Sequence, residues 1–333
     1  MAAIIGRHHL GKRAQNETNT AWQVAFKLEE SDEMKTRVFL SRLRLWQDAE
    51  KATIVMQLMP YLYTSDAYSP REIAAKVEAV SVVKANATFM RTFMLGTMAG
   101  GFIGLGAVFY TFIAADASLS PVVTRLLGGL FFAVGYLIAL LAGAEVFTSN
   151  NLIVMAVAAR KISLAQLFRN WLIVLFANAV GAIGLAVLFL MSGLHREMDG
   201  AVGSAAYQIG AAKASLPPLE AFSRAVLGNL FVCVAVWISI GGRSVADKML
   251  GAILPLSALG ALSLEHIVAS LYYIPRSLLL AVFFPEYVSG PPIGVAQILG
   301  HALPVVAGNI VGGSFMVAIV YHIIYRRQTV DPE

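Results

Sequence analysis

From about residue 92 onward the chain alternates long apolar runs with short polar or charged connections. The runs cover roughly 92–114, 122–159, 165–192, 220–241, 246–283 and 296–325. An unbroken bilayer span needs about 20 mainly apolar residues, so each run can cross a membrane. The second and fifth are too long for one helix, and polar residues interrupt both. The first interruption reads Gly143-Ala144-Glu145-Val146-Phe147-Thr148-Ser149-Asn150-Asn151, the second Ser263-Leu264-Glu265-His266. Lipid offers no partner to free N–H and C=O groups, so unwound backbone and ionisable side chains at that depth persist where protein buries them or where they line a cavity. Two such breaks point to a transport path formed by discontinuous helices.

The pattern predicts an all-α membrane protein with six transmembrane helices, the second and fifth broken. Each break falls in the middle member of a set of three. Three is odd, so the second set enters from the opposite side, as an inverted-topology repeat of 3+3 with both breaks near the midplane. Gly96, Gly100, Gly101, Gly104 and Gly106 in the first span, and Gly308, Gly312 and Gly313 in the last, read as ordinary close helix packing.

Charge adds the orientation. Arg160, Lys161 and Arg169 flank the second connection, Arg243 and Lys248 the fourth, and Arg326 and Arg327 follow the last span. The first and fifth connections carry no Lys or Arg, and the third offsets Arg196 and Lys213 with Glu197 and Asp199. The positive-inside rule then places both termini in the cytoplasm and the chain in the inner (plasma) membrane. Composition agrees: 58% hydrophobic residues, 14% charged and a mean hydropathy of +0.70 exceed what a soluble domain carries. A net charge of +5 is modest and unevenly spread, which speaks to orientation and not to nucleic acid. Cys233 is the single cysteine, which excludes an intrachain disulfide and a cysteine metal cluster. Neither a metal nor a cofactor is expected.

The first ninety residues differ. Residues 1–65 read as a cytoplasmic extension, polar at first, then amphipathic over Arg37–Tyr63, suited to the inner leaflet, to a cytoplasmic partner or to the protein's own cytoplasmic face. No signal peptide is read in Met1–Thr20. Residues 66–327 form the transport domain and 328–333 a cytoplasmic tail. Ser69-Pro70-Arg71-Glu72 predicts a helix start, with a helix from about 70 to 87 leading into the first span.

Four motifs carry a resemblance. Gly-Ala-Glu-Val-Phe-Thr-Ser-Asn (143–150), Leu-Gly-Asn-Leu-Phe-Val-Cys-Val-Ala-Val-Trp (227–237), Leu-Glu-His-Ile-Val-Ala-Ser-Leu-Tyr-Tyr-Ile-Pro (264–275) and Gly-Asn-Ile-Val-Gly-Gly (308–313) resemble the formate/nitrite transporter family, within it the formate channels. The resemblance covers about residues 70–327. It implies an aquaporin-like fold, a homopentamer and one pore per protomer. It further implies that Thr148 holds the pore centre, that His266 is the central pore histidine and proton donor, and that Glu265 precedes it as the family's acid. By the same match Asn229 is a pore-side asparagine near the outer vestibule, Lys213 attracts anions, Phe132 belongs to the outer constriction and Phe147 to the inner one. Two positions depart: Tyr136 stands where formate channels usually have leucine in the outer constriction, and Leu259 where they often have phenylalanine in the inner one.

The chemistry read from the residues is compatible. An anion meets a desolvation cost in an apolar constriction, which the conjugate base of a weak acid avoids by taking up a proton. Histidine suits that exchange, and His266 is the one histidine within a mid-membrane break; His8, His9, His195, His301 and His322 lie elsewhere. Half-helix N-termini near Ser149 and Ile267 would add positive dipole ends. Glu145 and Glu265 read as structural, with carboxylates turned to the loop backbone or to a paired neighbour, and Asn309 joins them at the breaks. Arg276 either snorkels to the interface or pairs with an acid at a subunit contact.

The function expected is a channel or proton-coupled transporter for small monovalent anions, formate first, with nitrite, lactate, acetate and hydrosulfide as alternatives. A passive neutral-solute pore belongs to another class; such pores carry Asn-Pro-Ala at their breaks, and neither break has it. An enzyme is disfavoured, since His-Glu-x-x-His, Gly-x-Ser-x-Gly and a phosphate-cradling glycine loop are missing from the sequence. A receptor or scaffold that had lost transport is set against the intact Thr148 and His266.

Overall fold

Apolar helices joined by short capped turns make up the part of the chain described by the computed structural model, residues 67–326 without residue 291. The expectations for residues 1–65 and 328–333 fall outside the described residues. Every regular element among the described residues is helical.

Helix α1 spans Pro70–Ala85 and starts as predicted: Ser69 caps it, Glu72 closes the capping box, and Pro70 occupies the first turn. Helix α2, Phe89–Ala115, follows behind the Thr88 cap. Helix α3, Pro121–Leu141, ends at the first break. Beyond that break a 3₁₀ turn, Ser149–Ile153, leads into the short α4, Val154–Ala158. Helix α5 covers Leu164–Met191 and α6 covers Ala201–Ala214. Helix α7 is Pro218–Gly241 and α8 is Val245–Ala261, which ends at the second break. Helix α9 is Ile267–Phe283 and α10 is Val295–Ile310, which continues through a π-helical stretch, Val311–Ile319, into α11, Val320–Tyr325.

Five of these stretches are long and apolar enough to cross a membrane: Phe89–Ala115, Pro121–Leu141, Leu164–Met191, Pro218–Gly241 and Val295–Tyr325. The two broken runs are built unequally. In the first, a membrane-length α3 is followed by a 3₁₀ turn and a five-residue helix. In the second, α8 and α9 are equal halves of 17 residues each. The half-helix predicted to start near Ser149 is therefore a 3₁₀ turn, and only the one at Ile267 is a regular helix.

Glycine sets the closest crossings. A Cβ on Gly129 of α3 would lie 2.4 Å from the Ser257 carbonyl of α8, and one on Gly260 would lie 2.8 Å from the Gly129 Cα. Backbone meets backbone there, which only glycine permits.

On one face of the helix layer, α1 is tied down by charge. Glu78 is buried and contacts Lys161 Nζ beyond α4 and Arg326 Nε at the end of α11, the latter at 3.0 Å. Burial raises its carboxyl pKa, but the hydrogen bonds and charges of Lys161 and Arg326 outweigh burial and leave it below the usual value.

Candidate functional site: two clamped breaks around Thr148 and His266

Both breaks turn the chain in the same way. Gly143 and Ser263, each two residues before a glutamate, adopt positive φ of 72° and 51°. Ala144 N–H donates to the Ala139 carbonyl and Leu264 N–H to the Leu259 carbonyl, closing the last turn of each half-helix. Glycine takes this conformation freely, whereas Ser263 is strained there.

The freed backbone groups are then satisfied by matching asparagines. Asn178 of α5 accepts from Phe147 N–H at 2.9 Å and donates to the Glu145 and Gly96 carbonyls. Asn309 of α10 accepts from Ile267 N–H at 3.0 Å and donates to the Glu265 and Ala225 carbonyls. Each buried amide replaces the bonds that a helix would have made, as a water-free interior requires.

Lysines complete the correspondence. Lys213, at the end of α6, meets both Glu265 oxygens at 2.9 and 3.0 Å. Lys84, at the end of α1, lies 3.3 Å from Glu145 Oε2 and donates to Asn150 Oδ1 at 2.8 Å. Asn150 in turn donates to Glu145 at 2.6 Å. Both glutamates are thus paired with neighbouring side chains, and it is their backbones, not their carboxylates, that join the asparagine clamps.

Between the two breaks the residues do not match. His266 caps α9: its Nδ1 accepts from Ala269 N–H at 3.2 Å. That bond assigns the ring proton of a neutral imidazole to Nε2, which lies 2.7 Å from Thr148 Oγ1, so the ring donates and the hydroxyl accepts. Tyr136 Oη sits 3.4 Å from the same hydroxyl, and its ring meets the His266 ring edge-on at 5.8 Å. All three side chains are buried. The departure at Tyr136 therefore falls on the centre of the arrangement.

A cavity of about 230 Å³ is lined by both His266 and Lys213. Its wall includes Phe132, Leu259, Lys213, Glu265, Arg224, Tyr110 and Tyr273. Leu259 accordingly stands beside Phe132 on this wall. The reason is local: the Gly129–Gly260 crossing brings the end of α8 against α3, and a Cβ on Gly260 would lie 3.4 Å from Phe132 Cβ. Phe147 is buried elsewhere, edge-on to Trp171 at 6.0 Å. Asn229 does not line this cavity; it is fully buried and donates to the Asn309 carbonyl at 2.6 Å, supporting the clamp from behind.

The positive helix ends are already partly used. Of the first-turn amides of α9, Ile267 N–H goes to Asn309 and Ala269 N–H to His266. Among the described residues no group of three or more His, Cys, Asp or Glu side chains could hold a metal ion.

Sequence reasoning passed over three members of this network. Lys84 precedes the first span much as Lys213 precedes the fourth, a correspondence of place that the sequence offered. Asn178 is a lone amide inside an apolar run, the same signal that marks Asn309. His301, placed near a span end, is buried; its Nε2 lies 2.9 Å from Ser270 Oγ and 3.6 Å from Glu265 Oε2.

Membrane-length helices, two clamped breaks and a cavity lined by a buried histidine define a multi-pass membrane protein with two interrupted helical runs. Residues 71–323 match the family described as formate/nitrite transporter. The chain belongs to the formate/nitrite transporter family. It is 34% identical over 274 residues to the formate channel FocA of Escherichia coli K12, covering 79% of this chain and 96% of the relative. It is 33% identical over 267 residues to FocA of Haemophilus influenzae, covering 77% and 94%. Among solved structures, a pentameric formate channel with formate bound superposes with a TM-score of 0.67 at 34% identity, covering 71% of this chain and 97% of that one. A second, an FNT family ion channel at 23% identity, has a TM-score of 0.67 and shares the fold.

Proposed function

We propose that this chain is a formate channel that assembles as a homopentamer with one pathway per protomer. The observation that carries the reading is the Thr148–His266 bond of 2.7 Å, made by a histidine that shares a cavity wall with Lys213. The relatives described as formate channels, and the formate-bound pentamer, support the substrate and the assembly. That these relatives are channels also sets the reading against an enzyme. Nitrite, lactate, acetate and hydrosulfide are the alternatives that the Tyr136 departure keeps in view.

Within that reading, Lys213 marks one mouth as a donor in the cavity wall, its charge matched by Glu265, and Phe132, Leu259 and Tyr136 form the apolar approach. Phe147 forms a barrier beyond Thr148. His266 then assists as a neutral donor through Nε2–H. Protonating the ring at Nδ1 means giving up the Ala269 cap, and the geometry therefore favours hydrogen-bond and electrostatic assistance. Proton transfer from His266 to the anion is the second reading, favoured by the buried ring standing directly in the path. Lys84 marks the opposite mouth, on the side that carries Lys161, Arg169, Arg243 and Arg326; we assign that side to the cytoplasm, with both termini there, in the inner membrane. The matched clamps support the inverted 3+3 repeat.

Proteoliposomes test the proposal. Formate influx should exceed that of empty vesicles and fall at least tenfold in His266→Phe. Water permeability without anion flux would mean a neutral-solute pore instead.

A further inference from the structure

Arg276 lies on α9, ten residues beyond His266, and is fully buried. It neither snorkels nor meets an acid. Its guanidinium carbon sits 5.0, 5.2 and 5.3 Å from the ring centroids of Tyr272, Tyr273 and Phe189. Nη1 donates to Thr111 Oγ1 at 2.7 Å and Nη2 to the Ala206 carbonyl at 2.8 Å, while Nε has no partner. Aromatic faces and neutral oxygens stabilise a cation without cancelling its charge. Arginine stays ionised even when buried.

The charges in the cavity wall do cancel. Lys213 is matched by Glu265, and Arg224 by Glu220 one turn away. Arg276 is separated from that cavity by Tyr273, whose ring belongs to its wall and also lies 5.6 Å from Lys213 Nζ. We propose that Arg276 is a selectivity-determining residue: a fixed, unneutralised positive charge behind the Tyr273 wall that makes the cavity favourable for small anions. The inference rests on the anion-channel reading above. A unit charge acting over about 8–10 Å through a partly dry wall, at an effective dielectric of ~20, changes local anion occupancy on the order of tenfold.

The bland alternative is a strut joining α9 to α2 and α6. Reversal potentials under a sodium formate gradient separate the two, measured on full-length protein in planar bilayers with half-saturating formate taken from flux. Arg276→Met should lower the formate-to-sodium permeability ratio and raise half-saturating formate about tenfold, with maximal flux little changed. Arg276→Lys should restore both. Thr111→Val removes an acceptor but no charge and should leave both as in wild type. If Arg276→Met does not assemble, Arg276→Gln, which keeps two donors without the charge, carries the same expectation. An unchanged ratio in the neutral variants, or an equal shift in Thr111→Val, overturns the inference. A wild type that conducts no formate overturns the channel reading itself.

Discussion

Thr148 and His266 come from different broken helices, yet their side chains meet at 2.7 Å, with the ring held in place from behind by Ala269 N–H. Neither break alone contains the site. The ring has a defined tautomer because a backbone amide occupies Nδ1, so a neutral imidazole directs its Nε2–H at Thr148 without any ionised group.

The two jobs of His266 can be separated. Asparagine is among the best N-caps, so His266→Asn should retain the melting temperature within a few degrees while losing the reach to Thr148 and most formate flux. His266→Phe should lose flux and about 1 kcal/mol of the cap as well. Scanning calorimetry beside stopped-flow flux checks both; full transport by His266→Asn would remove the donor role.

Tyr136 packs a ring against His266 and its hydroxyl near Thr148. Tyr136→Phe should cost about 1 kcal/mol or less and leave formate flux within a fewfold. Tyr136→Leu opens space above the histidine at a stability cost of a few kcal/mol and should raise lactate flux relative to formate. Competition between the two anions in one vesicle population reads the ratio directly.

Lys213 and Glu265 should behave as a unit. Removing one partner leaves the other poorly compensated, so Lys213→Met and Glu265→Gln should each destabilise by up to about 3–5 kcal/mol. The double variant should be more stable than the two losses added together. A double-mutant cycle on thermal unfolding measures that coupling, and strict additivity would mean that the pair is not formed.

The asparagine clamps invite a matched test. Asn178→Ala and Asn309→Ala each strip partners from one buried N–H and two buried carbonyls. Each unsatisfied group costs roughly 1–3 kcal/mol. Both variants should therefore be poorly assembled on detergent chromatography, to a similar degree. A neutral outcome for one alone would show that its break is supported in another way.

At the face that carries α1, Glu78 has a folded pKa held below its unfolded value of about 4.3. Its contribution to stability is present above pH 4.3 and disappears as pH falls through the lowered folded value. The melting-temperature gap between wild type and Glu78→Gln should be constant near neutrality and close below about pH 4. A gap that widens on acidification would contradict the ion-pair arrangement.

How much of this was legible in the sequence depends on the type of signal. Both breaks, and the residues Thr148, Glu145, Glu265 and His266, were readable because a polar group in an apolar run is conspicuous. The α1 start was readable from Ser69 and Glu72 because capping is local chemistry. The unequal construction of the breaks was not, since Ser149–Ile153 and Ile267–Ala269 both look like helix starts until tertiary packing selects a 3₁₀ turn for the first. That Leu259 and Phe132 share a wall was not legible either, because wall position depends on how α3 crosses α8, and two glycines set that geometry. Arg276 defied its charge: Phe189 of α5, Thr111 of α2 and the Ala206 carbonyl of α6 join Tyr272 and Tyr273 of its own helix to make its burial tolerable, and no single segment reveals that.

The Gly129–Gly260 crossing has a mechanical consequence. With main chains in direct contact and no side chain between them, the two half-helices have no compressible layer through which to slide closer. Local adjustment beside the crossing is then left to side-chain torsions, such as those of the adjoining Phe132, which are faster than displacement of helices. The two helices are joined there as a rigid truss.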